Sequence, residues 1–143
     1  MRDGNEASSA SVTEETVALL IENFYARVRR DPLLAEVFHN AIAPGDWPEH
    51  LATMRRFWSS VMRGSGRYSG NPVAVHQAVI GLEQPMFARW LALFDRTAED
   101  LLSPETAALF VAKAHRIAAS LELALFYRPE NLAKNARSPS HRP

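Results

Sequence analysis

The chain has 143 residues, a formal net charge of zero and no cysteine. A neutral chain lacks the cationic surplus that nucleic-acid binders and polybasic membrane clamps need, and a chain without thiols has no disulfides, thiolate zinc sites, iron–sulfur clusters or cysteine nucleophiles. No apolar run reaches the roughly 20 residues of a membrane helix, and "MRDGNEASSA" lacks the apolar core of a signal peptide, so a cytoplasmic location is expected.

Residues 1–11 are polar and small and are expected to form a disordered tail. Ser11 stands three before Glu14, the spacing of a capping box. Val17, Leu20, Ile21, Phe24, Tyr25 and Val28 follow at helical spacing until "RRDP" closes the helix. Asp31 is expected to cap, and Pro32 to open, a short second helix with Leu33, Leu34, Val37 and Phe38. "AIAPGD", residues 41–46, reads as a loop in which Asp46 caps a third helix, with Pro48 tolerated in its first turn. That helix carries Trp47, Leu51, Met54, Phe57, Trp58, Val61 and Met62 as its stripe.

Three glycines in "GSGRYSGN", residues 64–71, resist a helix. Pro72 then opens a brief apolar run that carries His76. Pro85 starts a helix with Phe87, Trp90, Leu91, Phe94 and Ala98 on one face. Ser103 caps and Pro104 begins the last long helix, with Ala107, Phe110, Val111, Ala114, Ile117, Ala118, Leu121 and Leu125, until Arg128-Pro129 ends it. Residues 128–143 are polar and mildly basic, a second expected tail. No strand alternation and no repeat occurs, so an all-α domain over 12–127 is expected, with four substantial helices. Such folds often hold cofactors between facing helices.

Chemistry must come from few residues. His141 falls in the tail, and His39 lies at a helix end, where it complements the negative end of the dipole. His50 falls three after Trp47 and four before Met54, inside the apolar stripe. It is either a core histidine bonded to backbone or a site residue. Tyr25 and Trp90 pose the same choice, because a buried phenol needs a partner and an indole N–H only donates. Three inward polar tips on three helices can converge on one cavity.

His76 has no HxxxH or HxxE companion. A lone histidine does not hold zinc, which sets a metallohydrolase aside. One histidine does suffice for a haem, whose porphyrin supplies the other nitrogens. Phe24, Phe38, Met54, Phe57, Trp58, Phe87 and Phe94 offer apolar surface for its faces. Arg67 and Tyr68, just before His76, are candidates for the propionate rim, unless the arginine is simply solvated.

"FYARVRRDPLLAEVF" at 24–38, "WPEHLATMRRFWSSVM" at 47–62, "GSGRYSGNPVAVH" at 64–76 and "FARWLALF" at 87–94 resemble the group III truncated haemoglobins. The resemblance covers about residues 12–127. It implies a truncated globin fold, a two-over-two helical sandwich around haem b, with a short proximal helix held by a long loop. By motif position His76 matches the proximal iron ligand, Tyr25 the distal tyrosine, His50 the distal histidine and Trp90 the distal tryptophan. Phe24 and Met54 match the apolar distal wall, and Trp58 the tryptophan near the haem edge. Arg63 departs from an expected apolar residue, and "VIGL" varies the join to the next helix.

The resemblance implies binding of dioxygen, nitric oxide or other small ligands. Nitric oxide dioxygenase or peroxidase-like activity, with an electron-donor reductase as partner, is compatible with it. Two distal donors slow dioxygen release, which favours redox or scavenging chemistry over bulk transport. A monomer or weak dimer is expected. The alternative is a haem-free globin-like helical sensor or interaction module, since fold does not dictate function.

Overall fold

The computed structural model describes residues 12–127, and every regular element among them is helical. The order is α1 (Glu14–Val28), α2 (Ala35–Ala41), a 3-10 turn (Pro44–Asp46), α3 (Trp47–Arg63), α4 (Pro72–Gln77), α5 (Pro85–Leu101) and α6 (Pro104–Phe126). The tails expected at 1–11 and 128–143, with His141 and the Arg128-Pro129 stop, lie outside the described residues.

The helix starts show what spacing alone decided well and badly. The observed cap of α1 is Thr13, whose hydroxyl accepts from the Thr16 N–H at 3.1 Å. Ser11, the expected cap, lies outside the described residues. Glu14 and Glu15 then sit in the first turn, where the helix dipole favours negative charge. Asp46 makes no side-chain cap bond, because it sits in a 3-10 turn with a helical backbone (φ −94°, ψ −4°) and leads straight into α3. Asp31 accepts from the N–H groups of Leu33 and Leu34, both at 3.0 Å, and so caps a turn; α2 itself begins later, at Ala35. Asn71 and Ser103 cap α4 and α6, each followed by a proline whose missing N–H costs nothing there. Gly64 ends α3 in the left-handed conformation (φ 66°) that a side chain disfavours.

Four helices carry the fold. Helix α1 packs on α3 and on α5, α5 packs on α6, and α4 rests on α6. The pair α1/α3 therefore lies over the pair α5/α6, a two-over-two sandwich. Its centre is aromatic and aliphatic: Val17, Leu20, Ile21, Phe24, Val28, Phe94 and Phe110 are sealed from solvent. Phe94 is stacked between Trp58 (5.1 Å) and Trp90 (5.3 Å), and Phe24 meets it edge-on at 5.1 Å. Fully burying one such side chain stabilises by about 1.5–3 kcal/mol, and edge or offset ring pairs add to that.

Polar ties fix the periphery. Asp31 is buried, and its carboxylate takes both the Nε (2.8 Å) and an Nη of Arg89 on α5. The Arg89 bonds, with the two backbone N–H groups, hold this carboxyl below the usual carboxylate range. Arg27 bonds Thr97 and pairs with Asp100 at 3.0 Å, which locks α1 on α5. Arg63, the departure noted in the sequence, bonds the Val12 carbonyl at 2.7 Å and pairs with Glu14 at 3.1 Å. It ties the end of α3 to the start of α1.

Candidate functional site

Between the two helical layers lies a cavity of about 670 Å³. This is within the range of pockets that hold a large organic group. Its walls are mainly apolar, and its polar groups are few: Tyr25, Asn40, His50, Thr53, Tyr68, His76 and Trp90. Each of the helices α1 to α6 contributes to the wall, α6 through Ile117, Ala118 and Leu121.

His76 enters from α4. Pro72 fixes the first turn, Asn71 caps it, and the His76 Nδ1 donates to the Pro72 carbonyl at 2.6 Å. A carbonyl can only accept, so in the neutral ring Nδ1 carries the proton and Nε2 keeps its lone pair. Such a bond on the far nitrogen is what orients a metal-ligating imidazole.

The polar tips of the long helices also line the cavity. Tyr25 is 5% exposed, and the Trp90 indole lies close enough to favour its ionised form slightly. An indole N–H cannot accept, so Trp90 leaves the phenolic proton available to a guest. Burial pushes this phenol well above its ordinary range, so it stays protonated. His50 lies edge-on to Tyr25 (5.1 Å) and to Trp47 (5.3 Å). Its Nε2 is buried and has no partner. Burial, reinforced by the charge of His76, lowers the imidazole to about 4, so it is neutral near pH 7.

The structure thus brings Tyr25, His50, Trp90 and His76 to one cavity, along with Phe38, Met54, Phe57, Trp58, Tyr68 and Phe87. Phe24 and Phe94 stand behind that wall rather than in it. Phe24 backs Tyr25 at 4.9 Å and Trp90 at 5.2 Å, and Phe94 backs Trp58 and Trp90. Arg67 points elsewhere: it is half-exposed and paired with Glu14 at 2.9 Å. Tyr68 does reach the cavity, its ring edge-on to Phe57 at 5.1 Å and its N–H on the Ser60 hydroxyl. His39 is exposed in the last turn of α2, as a dipole partner would be.

Thr53, Val79, Ile80, Met86 and Ile117 line the cavity without having been singled out by the sequence. The apolar stripes contain some of them, but a stripe does not separate core from cavity wall. Among the described residues no group of three or more His, Asp or Glu could hold a bare metal ion. A group that brings its own nitrogen ligands fits what is present: one oriented imidazole, apolar walls and an unpartnered buried Nε2 on His50 in the same cavity.

A helical sandwich closed over an apolar cavity, with one aimed histidine facing a small set of polar groups, defines a globin. The bacterial-like globin model matches residues 12–121. A group 3 truncated hemoglobin (ctb) of Campylobacter jejuni is 32% identical over 118 residues, which is 81% of this chain and 93% of that protein. The crystal structure of a group III truncated hemoglobin from Campylobacter jejuni superposes with a TM-score of 0.77 at 31% identity, covering 82% of this chain and 94% of that one. The chain belongs to the bacterial-like globin family, in its group III truncated haemoglobin branch. Membership implies haem binding and small gaseous ligands. Among the described residues no helix is long and apolar enough to cross a membrane.

Proposed function

We propose that this chain holds haem b through His76 and takes a diatomic ligand on the Tyr25, His50 and Trp90 side of the cavity. The reading rests chiefly on one observation: the His76 Nδ1 is committed to the Pro72 carbonyl, which leaves Nε2 free inside an apolar cavity. When bound, haem would supply an iron that His76 could hold and that could bind a small ligand. Phe38, Met54, Phe57, Trp58 and Tyr68 would cover its faces and edge.

The protein's own part is to orient, to exclude water and to hold protons. Tyr25 stays protonated beside Trp90 and would donate its single proton to a ligand in the cavity. A hydrogen bond of this kind contributes about 1 kcal/mol, and more in a dry site. His50, neutral and without a partner, offers Nε2 beside that phenol. The set suits dioxygen, nitric oxide or peroxide chemistry fed by an electron-donor reductase. Strong donation toward the ligand favours turnover over transport.

The test is an ultraviolet–visible spectrum of the reconstituted protein beside His76→Ala. A Soret band lost in the variant and restored by added imidazole is expected. A wild type that folds yet yields no Soret band rejects the reading. Turnover of nitric oxide or peroxide no faster than free haemin rejects the proposed chemistry while leaving the haem site.

A further inference from the structure

The loop from Gly64 to Asn71, which delivers α4, is held by a chain of bonds that ends on Glu14 at the start of α1. Ser59 of α3 is sealed from solvent and donates to the Glu14 Oε2 at 2.8 Å. Its oxygen lies 2.7 Å from the Ser65 hydroxyl. Ser59 has spent its only proton on Glu14, so Ser65 donates to it. Ser65 in turn accepts from the Arg67 N–H at 3.4 Å, and the Arg67 guanidinium closes the ring on the Glu14 Oε1 at 2.9 Å. Tyr68 adds a parallel tie, its N–H on Ser60 at 2.8 Å. Exposed ion pairs hold little by themselves. A buried hydroxyl that must be satisfied is a firmer anchor, and here it joins three chain segments.

The geometry points to Glu14 as a positioning residue for the haem. It clamps the 64–71 arm, and thereby His76, and it binds Arg67 so that this arginine acts through the arm and not as a partner of the haem carboxylates. This rests on the haem reading above. The cavity has no Lys or Arg in its wall among the described residues, which agrees with an arginine withheld from it.

The test uses the holoprotein and two probes, haem and its dimethyl ester, whose propionates carry no charge. Release to excess apomyoglobin is timed for wild type, Glu14→Gln, Arg67→Gln and the double variant. The iron–histidine stretching band of the ferrous form is recorded for each. Glu14→Gln and Arg67→Gln should each speed release several-fold, equally for both probes, and broaden or shift the band. The double variant should be no faster than the faster single one. Ser65→Ala, on the exposed loop, carries the same expectation should Glu14→Gln fail to fold. Asp100→Asn, which breaks the pair with Arg27, is the control: it should lower the melting temperature and leave the band in place.

An Arg67→Gln effect confined to the charged haem overturns the proposal, for Arg67 then binds a propionate. So does a Glu14→Gln variant that behaves like Asp100→Asn, destabilised with an unmoved band. A haem-loaded wild type with unmoved variants sinks this proposal alone. A wild type that takes up no haem sinks the haem reading and this inference together.

Discussion

On one side of the cavity stand Tyr25, His50 and Trp90, carried by helices of 15 and 17 residues. On the other stands His76, on a helix of six residues with no buried side chain. The first side is held by packing: Phe24 and Phe94 are sealed directly behind the polar tips, with the wall residue Trp58 stacked on Phe94. The second is held by hydrogen bonds at its ends and by the tied loop before it. Packing resists displacement in every direction, whereas a few directional bonds fix an angle and leave the segment free to move with its tether. On the proposed reading, the side that would meet a ligand is rigid, and the side that would hold the cofactor is aimed.

The comparison fails most visibly if the block behind the ligand side can be emptied without harm. Phe94→Ala removes a ring that touches Phe24, Trp58 and Trp90. It should cost about 3–5 kcal/mol in denaturant melts. A loss below 1 kcal/mol, with ligand kinetics unchanged, would show that packing is not what holds that side.

Tyr25→Phe is milder and more specific. It removes the proton donor proposed for the ligand, a loss of about 1–3 kcal/mol. Dioxygen dissociation measured by stopped flow should quicken by roughly tenfold or more, since 1.4 kcal/mol is a factor of ten. An unchanged rate would mean that Trp90, not Tyr25, faces the ligand.

The pH response sharpens the contrast further. The folded His50 imidazole titrates at about 4 against an ordinary 6.5, so the folded chain binds fewer protons than the unfolded one between those values. Stability of the haem-free chain should therefore fall as pH drops from 6.5 toward 4, and His50→Leu should flatten that slope. The carboxyl of Asp31, held low mainly by Arg89, should add a decline at still lower pH, seen as loss of the difference between wild type and Asp31→Asn.

The smallest expected effect lies on the aimed side. A Cβ at Gly70 would fall on the Tyr68 ring. Gly70→Ala should leave the melting temperature nearly unchanged, because the exposed loop can yield, but should alter the Soret band by moving Tyr68 off Phe57. A stability loss as large as that of Phe94→Ala would erase the distinction between the two sides.

Much of this was legible in the chain. Prolines at 72, 85 and 104 open helices where expected, and the apolar stripes of the four long helices are either buried in the core or packed, partly buried, against it. Tyr25, His50 and Trp90 could be read as inward because each interrupts a stripe with a polar tip. Periodicity could not say which inward residues face a cavity and which face core: Phe38 and Phe57 line it, while Phe24 and Phe94 back it. Caps slipped where a neighbour offered an equal hydroxyl or where a 3-10 turn came first, as at Thr13 and Asp46. The ties Asp31–Arg89 and Glu14–Ser59 join residues 58 and 45 positions apart, and no local pattern announces them.

The bond from His76 to Pro72 spans a single helical turn. The ring and the group that orients it therefore travel as one cassette. Substitutions elsewhere in the chain can shift this cassette as a block, but they cannot rotate the ring within it. Aim and placement are separately adjustable, so drift in the surrounding sequence can tune how firmly a cofactor is seated without losing the direction from which it is held.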